Sequence, residues 1–441
     1  MIVLRYLMLL GVSSLMFTCS KPTPEDSVND TGIAIRVIDM TIDYAVISLS
    51  QRDSLASWDY SLERNDSVIV GGTVTSGDTV LVDQGLRLNN QYSYKAYFWE
   101  EGLKIDSTES LVINTPDSTT HEVTWSHHII GGENAYVEDV WIVNDNEIIV
   151  AGQFPCPDPQ YPDSISNLAR FDGLKWEFEK VGLGGRVFGI HYYAPDDIWI
   201  AADIPFHWDG QAWTLFSLFE TGFLGAEDGA LRSVWGAESG RVTFVGESGT
   251  IVQWYEDSWQ KIAAYTNLPL TDIWGINTND LWIVGGCNSG CGNDYGAIVY
   301  RYNGDNLETI FENINSANPN SPAGAARSIW GKSEHNMWVT GYARQGKYDP
   351  DVESFIEVDW DAEWVHNEIR GNTIVDIYSV GQGSEVIHFN GSTSTTYSQI
   401  KVIGEGLANW KALDVSEGLV VVGGESYTGF RSEAHILFGQ K

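Results

Sequence analysis

Basic residues are scarce in this chain. Twenty-five Lys and Arg stand against 60 Asp and Glu, a formal net charge of −35. Binding a phosphate backbone needs Lys and Arg, so nucleic acid is excluded as a partner class. The surplus acid reads as solubilising charge. Four cysteines in 441 residues exclude a dense disulfide framework and finger-type zinc sites. No apolar run is long enough to cross a bilayer as a mature helix. Catalytic signatures are missing too: there is no Gly-x-Ser-x-Gly, no His-Glu-x-x-His and no Gly-rich loop leading from a strand into a helix. Carboxylates are so abundant that a pair at glycosidase spacing would arise by chance. The chain leans away from an enzyme and implies no cofactor, with only a weak calcium signal in its acidic insertions.

What is present is repetition. Leu270–Gly285 (LTDIWGINTNDLWIVG) has relatives at Val137–Gly152, Val187–Ala202, Leu231–Gly246 and Ala326–Gly341, with weaker copies beginning at Ile374 and Trp410. Seven copies spaced about 36–56 residues apart mark stacked units, here the blades of a β-propeller. Each unit reads as four short antiparallel strands, the last pair joined through segments such as Asp172-Gly173 and Asp209-Gly210, a strong two-residue hairpin signal. The seventh unit has only three strands before Lys441, and the segment 122–129 (EVTWSHHI) matches the missing outer one. The expected fold class is therefore all-β, with a seven-bladed β-propeller over 121–441 closed by that segment. Trp141, Trp235, Trp274 and Trp330 should close inner strands, and Trp125, Trp176, Trp213, Trp259 and Trp364 should open outer ones, packing blade on blade. Asp139, Asp272 and Asp376 fall at the third position of inner strands, where they would satisfy backbone donors or line the axial channel.

Upstream, residues 32–116 alternate apolar and polar residues in short runs between Asp, Asn and Gly turns, the pattern of an antiparallel sandwich. Within it, Leu86-Arg-Leu-Asn-Asn-Gln-Tyr92-Ser-Tyr94 resembles the tyrosine corner of fibronectin type III domains, which implies that fold for the segment. Residues 20–31 are polar and Pro-bearing, a flexible tether. Residues 1–19 hold Arg5, an apolar core and Cys19. That segment resembles a bacterial lipoprotein signal, which implies lipidation of Cys19 and an anchor in the cell envelope, the outer membrane or cell surface. The repeats themselves are similar to bacterial surface propellers with Trp-Gly and Asp-Gly-x-x-Trp units, and distantly to photosystem assembly-factor and sialidase-repeat propellers.

Insertions concentrate in the loops joining strands two and three and in the blade-to-blade connections, which leave a propeller on one face. Phe154, Tyr161, Phe223, Tyr295, Tyr342, Arg344, Tyr348, Tyr427 and Arg431 lie there, an aromatic and Arg composition suited to recognition. Cys287 and Cys291 in a short loop read as a disulfide, with Cys156 left over. The expected function is a lipid-anchored envelope protein that binds a protein or a glycan through that face. The alternative is a carbohydrate-active hydrolase or lyase with convergent carboxylates of perturbed pKa in the axial channel.

Overall fold

The computed structural model describes residues 27–28, 33–51, 58–74, 78–155, 164–182, 184–287, 296–314, 326–341, 345–349, 352–397, 400, 407–428 and 430–441. These form two compact units, one built mainly from Tyr44–Leu86 and Gln91–Asn114, the other mainly from Thr115–Lys441. Among the described residues the only helices are two single 3-10 turns.

The first unit consists of two antiparallel sheets. One orders Ser27–Val28, Ile33–Met40, Tyr44–Gln51 and Thr79–Gln84; the other orders Ser67–Val74, Trp58–Arg64, Gln91–Glu100 and Leu103–Ser107, with Leu111–Asn114 also paired to Gln91–Glu100. Side chains on a strand alternate between faces, so every second residue points inward. Ile35, Ala45, Ile47, Leu49 and Leu81 from one sheet thus meet Leu62, Tyr94, Ala96, Phe98 and Ile113 from the other in a shared core. Tyr94, rather than Tyr92, is the fully buried tyrosine of the corner-like segment. Its hydroxyl donates to Asp83 at 2.5 Å, and Arg64 pairs with the same carboxylate at 3.0 Å.

The second unit contains seven four-stranded antiparallel sheets among its described residues. Their first strands are Tyr136–Asn144, Gly189–Ala194, Leu231–Glu238, Leu270–Asn277, Ser328–Gly331, His366–Thr373 and Ala408–Val415. Each packs against the first strand of the next sheet, and Ala408–Val415 packs back on Tyr136–Asn144. The sheet holding Ala408–Val415 takes its outer strand from Thr124–Ile130, which pairs antiparallel with Arg431–Gln440 so that Trp125 faces Gly439 and His127 faces Leu437.

The residue at the fifth position of five repeat copies forms an aromatic girdle. Trp141, His191, Trp235, Trp274 and Trp330 follow one another with ring centroids 4.8–6.3 Å apart. Trp176 and Trp213 open outer strands, with Trp125 and Trp259 at the second position of theirs. Trp364 does not; it stands half-open to solvent in the connection before His366, because the outer strand there is Ser354–Val358.

Two further expectations are corrected. The copy read from Ile374 is out of register: the first strand of that sheet is His366–Thr373, and Asp376 opens the second strand, Asp376–Gly381. The cause is Arg370, which occupies the girdle position and removes the aromatic signature. The Asp-Gly segments are also not two-residue hairpins. Phe171 pairs with Trp176, leaving four residues in the loop, and the Asp172 carboxylate accepts the Leu174 and Lys175 backbone N–H groups at 2.9 Å. Gly173 takes a φ of +88°, where a Cβ would be strained. Asp209 repeats the arrangement at 2.8 Å.

Candidate functional site

In five of the seven first strands the register slips by one after the first, second or third paired residue. Leu270 faces Gly285, for example, but Asp272 faces Val284. The skipped residues are Glu138, Arg232, Thr271, Asn367 and Lys411. Such a bulge re-aims a side chain out of the ladder. These five, with Phe188 and Arg327 at the equivalent places of the other two strands, line a single cavity of about 80 Å³ where the first strands converge. Below them Asp139, Ser233, Asp272, Ser328 and Glu368, all one residue further along, complete the wall, with Arg370 at the base. The space holds a few waters or one side chain, not a drug-sized ligand.

Charge inside this cavity departs from the rest of the chain. Four acids (Glu138, Asp139, Asp272, Glu368) meet four bases (Arg232, Arg327, Arg370, Lys411). Most are already matched. Arg370 places Nη1 and Nη2 on the two Asp272 oxygens at 2.9 and 3.1 Å and reaches Glu368 at 2.8 Å. Asp272 also accepts the Ser328 hydroxyl at 2.6 Å and the Ile329 N–H at 3.0 Å, stitching one sheet to the next. Asp139 does the same through the Val140 and Ile190 N–H groups, both at 2.8 Å. Glu138 is held by Arg186 at 2.8 Å and Lys411 at 3.3 Å, and Lys411 also meets the buried Glu425 at 2.8 Å. Arg232 pairs with Asp203 and Glu247 and stacks 4.1 Å over Phe188.

Burial disfavours the charged carboxylate. It raises Asp139 to about 7 against the pull of its backbone hydrogen bonds, and pushes Glu368 well above the ordinary carboxylate range. Burial works against Arg370 as well, but the facing Asp272 and Glu368 outweigh it and its pKa is raised. Among the described residues no cluster of His, Cys, Asp and Glu has the makings of a metal site.

The rim around the cavity follows from the topology. In a four-stranded meander the loops between strands two and three, and the connections to the next sheet, leave at the end where each first strand begins. Phe219, Tyr265, Trp364 and Leu407 in the connections, Phe430 in the last of those loops and Tyr427 at the strand end leading into it are all exposed. Among the described residues, the exposed large apolar loop residues on the opposite rim are Leu174 and Val352.

The residues expected to form a ligand face divide sharply. Phe154 is fully buried beside Ala135 and Val137, and Tyr348 is buried with its ring 5.2 Å from Trp282 and 5.5 Å from Phe355. Both lie within strands whose lengths the loop reading underestimated, and both are packed into the core rather than displayed on a loop. Phe223 is half-buried against the Leu218 and Leu224 cluster. Tyr427 is exposed with its hydroxyl on Glu425, and Arg431 is exposed in an ion pair with Glu133. Cys287 is disulfide-bonded. Cys19, Cys156, Tyr161, Cys291, Tyr295, Tyr342 and Arg344 lie outside the described residues. The cavity ring was missed because a bulge is a pairing feature. Its trace was an Arg, Lys or Glu directly after the apolar residue that opens several copies, as in Val137-Glu138, Leu231-Arg232, Ala326-Arg327 and Trp410-Lys411.

No protein-family model matches the sequence, and no curated protein matches it. Solved structures do. One described as YCF48 bound to D1 peptide superposes with a TM-score of 0.52 at 12% identity, over 73% of this chain and 96% of that one. The WD40 β-propeller domain of Doa1 superposes with a TM-score of 0.52 at 13% identity, over 71% of this chain and 97% of that one. At such identities the likeness concerns the fold, which is all-β and propeller-like.

Proposed function

We propose that the chain is a protein-binding scaffold of the bacterial cell envelope, taking its partner on the rim into which the axial cavity opens. In this reading the seven sheets are the blades of one propeller over 121–441, sealed by the strand Thr124–Ile130. Residues 32–116 form a fibronectin type III-like spacer; a three-strand sheet facing a four-strand one, apart from Ser27–Val28 and the divided last strand, supports that. Residues 20–31 act as a tether, and Cys19, the new N-terminus once the signal residues before it are removed, carries the lipid.

The observation that carries the binding role is the gathering, among the described residues, of exposed aromatics and a mixed-charge cavity on one rim. Aromatic rings and Arg supply most of the free energy at protein interfaces. The similar YCF48 structure is a complex with a peptide, which agrees with a protein partner rather than a glycan.

The test is capture from intact envelopes with the lipidated full chain as bait. Changing Trp364, Tyr427 and Phe430 together to Ser should weaken capture by tenfold or more, while Leu174→Ser on the opposite rim should leave it intact. Equal capture by both variants removes that rim from consideration.

A hydrolase or lyase reading draws on one observation, the raised pKa of Asp139 and Glu368 within the cavity. Against it, Asp139 is occupied by two backbone donors and Glu368 by Arg370. Turnover of any polysaccharide that is abolished by Asp139→Asn would reverse the preference.

A further inference from the structure

Every acid in the axial cavity has a partner, but one base does not. Glu138, Asp272 and Glu368 are each matched by Arg or Lys, and Asp139 by backbone N–H groups. Lys411, Arg232 and Arg370 are correspondingly taken. Arg327 is the exception: its main chain is fixed through Thr340 and Thr271, while its guanidinium makes no hydrogen bond or ion pair among the described residues. Its side chain stands in the cavity wall, open to the water there. Enough protein surrounds it that desolvation lowers its pKa. A charge held in a concave, partly dehydrated place without a counter-ion is incomplete until an anion arrives.

We propose that the axial cavity is a recognition site for a single carboxylate of a partner polypeptide, received by the Arg327 guanidinium. This rests on the reading of the same rim as a protein-binding face and names the group it reads. The monoanion follows from charge. Three carboxylates, Glu138, Asp272 and Glu368, line the same small space and would repel a phosphate dianion, whereas a planar carboxylate fits the guanidinium fork through two parallel hydrogen bonds. The field of the whole chain, at −35, repels acidic segments. The partner segment therefore carries its carboxylate among neutral or basic residues. Such a group comes from a chain terminus or from one Asp or Glu side chain.

Isothermal titration of the full chain with three acetylated, lysine-containing tripeptides tests this. One ends in a free carboxylate, the second is its amide, and the third is an amide with one internal glutamate. The free-carboxylate or glutamate peptide should bind saturably and the plain amide should not; which of the two binds identifies the source. Arg327→Gln should weaken that binding by about tenfold or more, the loss of one charge-assisted pair. Because the guanidinium holds no structural partner, the thermal midpoint of the variant should match that of the parent. Arg327→Lys, which keeps the charge but loses the fork, should fall between the two. Equal binding of the plain amide, absence of binding by all three, or binding indifferent to Arg327→Gln overturns the proposal. The outcomes separate from those of the rim test. Envelope capture that survives Arg327→Gln while failing in the aromatic triple variant sinks the carboxylate site alone. Peptide binding that persists while capture ignores the aromatic rim sinks only the broader reading.

Discussion

Arg370 occupies the place that an aromatic ring holds in five sister strands, and it organises the base of the cavity. Its guanidinium is the counter-ion for both Asp272 and Glu368. Removing one partner of a buried ion cluster leaves the others unpaired, which costs more than the cluster contributes. Arg370→Met should therefore destabilise the propeller unit by about 3–5 kcal/mol, measured by chemical denaturation. Asp139 gives a second, pH-resolved expectation. Its pKa rises from 3.8 to about 7 on folding, because burial outweighs its hydrogen bonds. The folded chain thus holds this proton more tightly, and the associated stability, full below about pH 3.8, is lost as pH rises through 7. The stability deficit of Asp139→Asn relative to the parent should shrink between pH 4 and 7; a constant deficit would refute the assigned shift. At this scale the sequence held a legible trace of Arg370. Glu368-Ile-Arg-Gly371 is Asp272-Ile-Trp-Gly275 with the acid kept and the ring exchanged for a cation. The pattern was hidden because repeat detection weighs the aromatic most heavily.

At the scale of the strand, the element with the most distinctive chemistry is Thr124–Ile130. His127 stacks on His435 at 5.0 Å, with Nε2 and Nδ1 2.8 Å apart, and Ser426 completes the contact at 2.8 Å. A few residues earlier His121 meets His388 at 2.9 Å and Thr393 at 3.0 Å, and His388 faces Asp376, itself paired with Lys441. Burial lowers the pKa of His127, and burial together with His127 pushes His435 down to about 4, from 6.5 in the unfolded chain. The unfolded chain thus binds these protons more tightly, so stability present above pH 6.5 is lost as pH falls towards 4. Amide exchange in Thr124–Ile130 should accelerate in that window before exchange in the first strands does, and His127→Phe should blunt the effect. Uniform acceleration across all sheets would contradict it. The two halves of this contact are separated by about 300 residues, so the pairing of His127 with His435 had no local signal in the sequence.

Across the whole second unit, the pairing of Thr124–Ile130 with Arg431–Gln440 determines which edge is covered. Without Thr124–Ile130, the ten-residue strand Arg431–Gln440 presents an unpaired edge bearing Ile436, Leu437 and Phe438. Exposed edges of that kind template further pairing. A chain starting at residue 131 should associate or precipitate in size-exclusion chromatography where the parent elutes unassociated; a clean, stable monomer would deny the strand its sealing role. What the sequence determined alone is the repeated local chemistry: apolar runs at strand period, Asp and Gly at turns, and a Trp at one place in four of the units. Those are interactions among residues within about ten positions, and short-range preference encodes them. Only the tertiary structure decided that Phe154 and Tyr348 are core residues, that Arg370 serves Asp272 as well as the neighbouring Glu368, and that skipped residues from five strands meet their equivalents from two more in one cavity. Those outcomes depend on register and on the convergence of strands far apart in the chain, which no window of the sequence contains.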